Sequence, residues 1–482
     1  MNKKLEKIIN KQKVSNSLEH AVGVMICDQE SMMPLGGADA RARAYGDITA
    51  LEKRIALGYR KDLKNVRVKN ALEEGIFNEL KHQANYYSLV PEKLLREIES
   101  YKVRANLAWK EARKKSDFSI FKPYLQRTVE LQRELAEKLD YKSHPYNALL
   151  YQFEEEMTVR EMDAIFAKII PKIDRIAEKT KMRWDPSVEI VECSKASMHK
   201  ISKELLGMLN IPKESFVKGV SAHPFMVSLD TNDVRITTGR GKQKFRDRFF
   251  DQMHELGHAI YAFGIDPQLR DTPVYTAASF SIDESQSRFW EMMMGHSMSF
   301  TRAIYPVIKK YAKINGSEND LYRYFNAADK NATRIDSGEL AYDKHIKMRY
   351  DMEKGLISGK ISVSDLQSVW VDLSLEYFGN KPKNDRDGVL QDIHWADGSF
   401  GYFPTYTLGN IISAAIREEM GNVDQLIEEG KFVEIKEWLR DKIQKYGAIY
   451  APRDLLKHAI RQTYNPDKYL KYLQEKYLEH MD

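Results

Sequence analysis

Cysteine is almost missing from this sequence. Two occur in 482 residues, Cys27 and Cys193. That is too few for a disulfide scaffold, and such sparing use fits a reducing compartment. Glycine and proline are also scarce, at 25 and 15 residues, under the roughly 12% of ordinary usage. Collagen-like and low-complexity chains are thereby excluded. No run of about 18 apolar residues occurs, so no membrane-spanning helix is expected. Met1-Asn2-Lys3-Lys4-Leu5-Glu6-Lys7 carries positive charge, but no apolar stretch follows it as in a secretion signal. A surplus of one charge is missing too. The 75 Lys and Arg face 70 Asp and Glu, for a net +5, which gives no reason to expect a nucleic-acid partner. No repeat, Ser/Gly linker or single-sign charge block marks a domain boundary. The expectation is one soluble, cytoplasmic body over residues 1–482, built as one or two lobes.

What is present favours helices. Thr158 and Glu161 make a capping-box pattern. Met162, Ile165, Phe166, Ile169 and Ile170 follow at helical spacing, and Pro171 should kink or end that helix. Ser362 with Asp365 opens a second helix, striped by Leu366, Val369, Trp370 and Leu373. Gly379 and Pro382 close it. One place breaks the rhythm. His223–Leu229 and Val234–Gly239 are β-rich runs flanking the turn cluster Asp230-Thr231-Asn232-Asp233, which predicts a hairpin. A free hairpin edge could pair with an extended peptide. Gly239-Arg240-Gly241-Lys242 lacks the spacing of a P-loop and is expected to be a mobile, basic loop.

The strongest motif follows the hairpin. His254-Glu255-Leu256-Gly257-His258 matches H-E-x-x-H. Phe249, Phe250, Met253, Leu256 and Ile260 give it an apolar helical stripe, and Gly264 a stop. At i and i+4 both imidazoles leave one helix face and can reach one ion, with Glu255 beside it as a base for water. Gly257, a mid-helix glycine costing about 1 kcal/mol relative to Ala, calls for a packing or access reason.

A catalytic zinc normally takes three protein ligands and one open position. Ser281–Glu291 resembles a helix start with acids in its first turn. Glu284, 26 residues after His258, fits a helix, a turn and a returning helix. By spacing alone it is equally well an N-terminal turn acid. Asp283 could orient a ligand histidine from behind. Gly388–Trp395 and Gly398–Tyr406 mix glycine, aromatic and polar residues without a helical stripe. His394, Tyr402 and Tyr406 are candidate oxyanion donors there, or members of an aromatic packing loop.

Together these blocks resemble the carboxypeptidase Taq family of zinc metallocarboxypeptidases. The elements recur in order: His223-Pro224-Phe225, Asp233-x-Arg235-x-Thr237, His254-Glu255-x-x-His258, Glu284-Ser285-x-Ser287 and Gly388-x-x-Gln391-Asp392-x-His394-Trp395. The likeness extends to Asp28-Gln29-Glu30, Met33-Pro34-Leu35-Gly36, Tyr146–Leu150 and Gly401–Asn410, so it spans nearly the whole chain. The resemblance implies a mainly α fold: a large helical body with a deep active-site groove and a small β-hairpin beside it, like neurolysin and angiotensin-converting enzyme. It implies His254, His258 and Glu284 as ligands of one Zn2+ per chain, with Co2+ or Mn2+ as substitutes, and Glu255 as general base. It further implies a cytoplasmic homodimer that removes C-terminal residues from peptides with broad specificity.

Three departures stand out. Asp283 replaces a frequent His, Gly338 replaces the Asp that ends an Ile-Arg-x-x-Ala-Asp element, and Ala262 stands where an acid or amide is common. None removes a ligand or the base. The expected chemistry is metal-assisted hydrolysis of peptides with a free C-terminus. Such an enzyme must hold the substrate carboxylate, which an arginine fork does well. Arg334 and Arg349, on one predicted helical segment, are candidates, with Arg235 on the hairpin a third. Two rival readings remain: an endo-acting oligopeptidase on the same site, and an inactive scaffold of the same fold.

Overall fold

The computed structural model describes residues 1–180, 185, 188–221, 223–239, 244–327 and 333–479. Residues 240–242 of the expected basic loop lie outside them. The chain begins with five long helices: α1 (Lys3–Ser31), α2 (Ala38–Arg60), α3 (Ala71–Leu89), α4 (Glu92–Lys115) and α5 (Phe118–Leu139). Then come α6 (Tyr146–Leu150), α7 (Val159–Lys179), strand β1 (Val191–Glu192) and α8 (Lys195–Met208). A sheet follows, made of β2 (Phe216–Ser221), β3 (Met226–Asp230) and β4 (Asp233–Gly239). Next are α9 (Phe245–Gly264), α10 (Phe280–Arg288) and a π-helical turn over Phe289–Gly295. The remainder is α11 (Met298–Tyr311), β5 (Lys313–Ile314), α12 (Glu318–Phe325), α13 (Glu339–Ser358), α14 (Leu366–Phe378) and α15 (Pro404–Met420). Four short helices close it: α16 (Val423–Glu428), α17 (Phe432–Lys442), α18 (Pro452–Ile460) and α19 (Asp467–Gln474). The fold is mainly α, with a small sheet. One hydrophobic cluster runs from Leu5 to Tyr477. No helix among the described residues is long and apolar enough to cross a membrane.

Local chemistry accounts for several boundaries. Thr158 and Glu161 form the expected reciprocal cap of α7, which leaves fewer orphan N–H groups at the helix start. Pro171 does not end α7, which continues through it to Lys179. Pro171 lies on the exposed face, where water can take up the Ala167 carbonyl that has lost its partner. On the opposite face Ile169, Ile173 and Ile176 stay buried and hold the helix on course. Ser362 and Asp365 bond across the turn before α14, and Gly379 ends that helix at φ +72°, a conformation cheap only for glycine.

The hairpin is present: β3 pairs antiparallel with β4. The sequence reading missed β2, which pairs parallel with the other side of β4. Its run Phe216-Val217-Lys218-Gly219-Val220-Ser221 has no clean alternation, and parallel pairing depends on distant chain. The hairpin therefore keeps only the outer edge of β3 unpaired within the sheet. Val234 and Ile236 of β4 are fully buried on the α9 side. Across the sheet α1 covers β3 so closely that a Cβ at Gly23 would stand 2.5 Å from Leu229 Cδ2.

Two other glycines set the site. A Cβ at Gly257 of α9 would lie 2.5 Å from Ser287 Cα and 2.7 Å from the Gln286 carbonyl oxygen of α10. A Cβ at Gly409 of α15 would lie 2.9 Å from Glu284 Cβ on the same helix. Helix α10 is therefore packed at backbone contact between α9 and α15. Gly257→Ala should destabilise the protein by about 1–3 kcal/mol through overpacking. Gly58→Ala, in α2 with nothing within 4 Å among the described residues, should instead stabilise it by about 0.5–1 kcal/mol. Urea unfolding of both variants checks this; equal effects would refute the packing account.

Candidate metal centre

His254 and His258 lie one turn apart on α9, and Glu284 faces them from α10. The three form a cluster able to hold one ion. His254 Nε2 is 3.3 Å from His258 Nε2. Glu284 Oε2 is 3.6 Å from the first and 3.8 Å from the second. Around a tetrahedral zinc with bonds of about 2.0–2.1 Å, neighbouring ligand atoms stand about 3.3–3.4 Å apart. The donor set and its spacing fit a small divalent cation.

Each candidate ligand has a partner behind it. Nδ1 of His254 is 2.9 Å from Glu291 Oε2, which also accepts from Arg288 Nη1 at 2.8 Å. Arg288 Nε donates to Asn410 Oδ1 at 2.7 Å. Asp283 Oδ2 lies 3.0 Å from Nδ1 of His258. Glu284 Oε2 accepts from Ser287 Oγ at 2.9 Å, and its Oε1 from Tyr402 Oη at 2.7 Å. Asp283, Glu284 and Glu291 against Arg288 leave an excess of negative charge that a dication offsets. The Glu255 carboxylate stands beside the cluster on α9. Burial, opposed by His254 and His258, pushes its carboxyl up to about 7.

The loop before α15 supplies the far wall. Glu353 of α13 organises it, accepting from Trp395 Nε1 at 2.9 Å and from the Gly401 N–H at 3.0 Å. His394 Nε2 and Tyr406 Oη are 3.2 Å apart. Burial and then Arg334 drive the His394 imidazole down to about 3, so it is neutral at ordinary pH. The Arg334 guanidinium lies 5.0 Å from the Tyr406 ring centroid. Its Nε donates to Asp392 Oδ1 at 2.8 Å and its Nη1 to Tyr342 Oη at 2.9 Å. Arg349 is fully buried. Its Nε donates to Asp392 Oδ2 at 2.6 Å and its Nη2 to Gln391 Oε1 at 2.7 Å. Arg235 stands apart, paired with Asp233 at 2.7 Å on the face of β4 opposite Val234 and Ile236.

The structure thus brings His254, Glu255, His258, Glu284 and Tyr402 together, with His394, Tyr406 and Arg334 in one adjoining row. It leaves Arg235 outside and sets Arg349 behind Asp392. Glu291, Arg288, Ser287 and Asn410 were missed as site residues. Glu291 had a readable signal, standing seven residues after Glu284 and three after Arg288.

A mainly helical body with a His/His/Glu cluster of the H-E-x-x-H kind defines a class of metal-dependent hydrolases. Sequence comparison places the chain within it. The chain belongs to the carboxypeptidase Taq (M32) metallopeptidase family, whose model matches residues 7–477. It is 33% identical to thermostable carboxypeptidase 1 of Pyrococcus furiosus, with 99% of each chain covered. It is 32% identical to carboxypeptidase 1 of Bacillus subtilis, over 95% of this chain and 94% of the other. The solved Pyrococcus furiosus carboxypeptidase superposes with a TM-score of 0.91 at 33% identity, 99% of each chain covered. Metallocarboxypeptidase 1 of Trypanosoma cruzi does so at 0.87 and 27%, over 99% of this chain and 100% of that one. The protein is a metal-dependent carboxypeptidase, a peptide hydrolase.

Two outcomes follow from this geometry. Glu291→Gln removes the charge behind His254 and should weaken divalent-metal binding by roughly 10–100-fold, read by competition with a chromogenic chelator. Unchanged affinity would deny Glu291 that role. Asp392 concerns stability. Burial alone would raise its carboxyl, but Arg349 and Arg334 outweigh burial and hold it well below the usual range. Below the unfolded carboxylate value of about 4, the unfolded chain takes a proton that folded Asp392 refuses. Its stabilisation is present above that pH and is lost as pH falls. Asp392→Asn should cost about 3–5 kcal/mol at pH 7 and flatten the acid limb of a denaturation series.

Proposed function

We propose that the chain is a zinc-dependent carboxypeptidase that releases single C-terminal residues from peptides with broad specificity, with Glu255 as general base. The observation that carries this reading is the His254/His258/Glu284 cluster with the buried Glu255 carboxyl beside it on α9. When bound, the ion supplies Lewis acidity for the scissile carbonyl and the attacking water. Glu255 takes the water's proton and delivers it to the leaving amine. Tyr406, set against neutral His394, donates to the oxyanion. Arg334 receives the substrate carboxylate, because its Nε and Nη1 are engaged while no partner of Nη2 is seen among the described residues. Arg349 acts behind it by holding Asp392. The proposal extends to a single domain over residues 1–482 and a cytoplasmic homodimer, both carried by the resemblance along the whole chain.

The test is mass spectrometry of one peptide in two forms, free acid and C-terminal amide, after incubation with zinc-loaded protein. Stepwise shortening of the acid alone, absent with Glu255→Gln, is the expected result. Internal cuts in both forms would establish an endopeptidase instead. Intact peptides with one zinc bound per chain would establish an inactive scaffold.

A further inference from the structure

The N-terminal end of α10 carries an aromatic ledge that the chemistry above does not use. Phe280 is the first residue of α10 and lies one turn before Glu284, so the two share a helix face. It leaves 44% of its surface exposed, while Ser281 and Ile282 beside it are fully buried. Its N–H donates to the Phe153 carbonyl at 3.2 Å. Phe153, Phe280 and Tyr402 form a closed triangle of edge-to-face rings. Their centroids are 5.3 Å apart for Phe153 and Phe280, and 5.4 Å for each contact with Tyr402. A lone exposed apolar side chain is ordinary. Here the ring is fixed by two aromatic neighbours, one of which donates to the metal ligand Glu284. Rigid apolar surface is thereby held at the edge of the metal centre.

Contacts also join this ledge to Arg334. Arg334 lies against Tyr406, whose ring is 5.3 Å from that of Tyr402, and His394 sits beside both. Tyr402 then touches Phe280 and Phe153. Arg334 and the ledge are thus linked through Tyr406 and Tyr402, and Tyr402 meets the metal cluster at Glu284.

We propose that Phe280, backed by Phe153, forms the subsite for the side chain of the substrate's penultimate residue and sets a preference for apolar side chains there. The proposal rests on the reading of Arg334 as the carboxylate site. With the C-terminal residue anchored there and the scissile carbonyl at the cluster, the residue across the bond meets the ledge. An apolar side chain placed on it removes both surfaces from water.

The test uses N-acylated tripeptides ending in Ala that differ only at the penultimate position: Phe, Leu, Gly or Asp. The zinc-loaded wild type, Phe280→Ala and Phe280→Lys are compared by kcat/KM. Phe280→Ala should lower the value for Phe and Leu by roughly 10-fold or more and leave Gly within about two-fold. Phe280→Lys should raise the Asp-to-Phe ratio by about 10-fold or more. A uniform loss over all four peptides would make Phe280 merely structural and overturn the proposal. So would a selectivity change that follows the C-terminal residue, in a second series with Ala fixed at the penultimate position. Failure of the parent reading looks different: the wild type would release no single C-terminal residue from any peptide, and the subsite would fall with it.

Discussion

The site depends on how closely one short helix is held between two others. Helix α10 meets α9 at Gly257 and α15 at Gly409, and in both places a single added carbon would collide. That proximity lets Glu284 reach the imidazoles of a neighbouring helix with a side chain of only two methylenes. It also places Tyr402, just ahead of α15, within bonding distance of the same carboxylate. A wider gap on either side would leave a two-histidine site or an unsupported third ligand. The mid-helix glycine costs about 1 kcal/mol in propensity, and the close approach is what that cost secures.

Charge is handled by a few dense, specific pairings. The π-helical turn after α10 sets Glu291 behind His254, and Arg288 and Asn410 extend the chain of partners to α15. On the other wall Asp392 takes one guanidinium on each oxygen. Buried ions are costly unless their partners are well placed, so such networks fix side chains in position more than they stabilise the fold. Preorganised polar groups around a metal are what hydrolysis needs, because they do not have to rearrange as charge develops. Among the relatives reported above, the shared architecture extends over whole chains at about one third identity or below. The body can therefore drift in sequence while the arrangement of helices persists.

Much of this was legible in the sequence. The helical body followed from scarce breakers and repeating apolar stripes, and the hairpin from alternation around a turn cluster. The H-E-x-x-H pair declared its helix and a shared face for both histidines, because i and i+4 fix two side chains on one face. Glu284 was open on spacing alone and strong only through the family resemblance, since its distance from His258 says nothing of where α10 returns. Of the two outcomes expected at Pro171, an end to the helix did not occur, because the hydrogen bond lost there faces water. Strand β2 was missed because its partner β4 is separated from it by β3, and no local pattern encodes that pairing.

By itself, the sequence determined the class of fold, two of the three residues of the candidate metal cluster with the acid beside them, and a chain free of long apolar spans. These depend on composition and on periodicities that act over a few residues. Only the tertiary structure decided which carboxylate completes the cluster, which arginine stands in the row beside it and which lies behind Asp392, and where Phe280 is exposed. Those depend on how separate helices approach one another. The approach is set by the volume of side chains at the contacts, above all by two glycines whose neighbours in space lie far away in the chain.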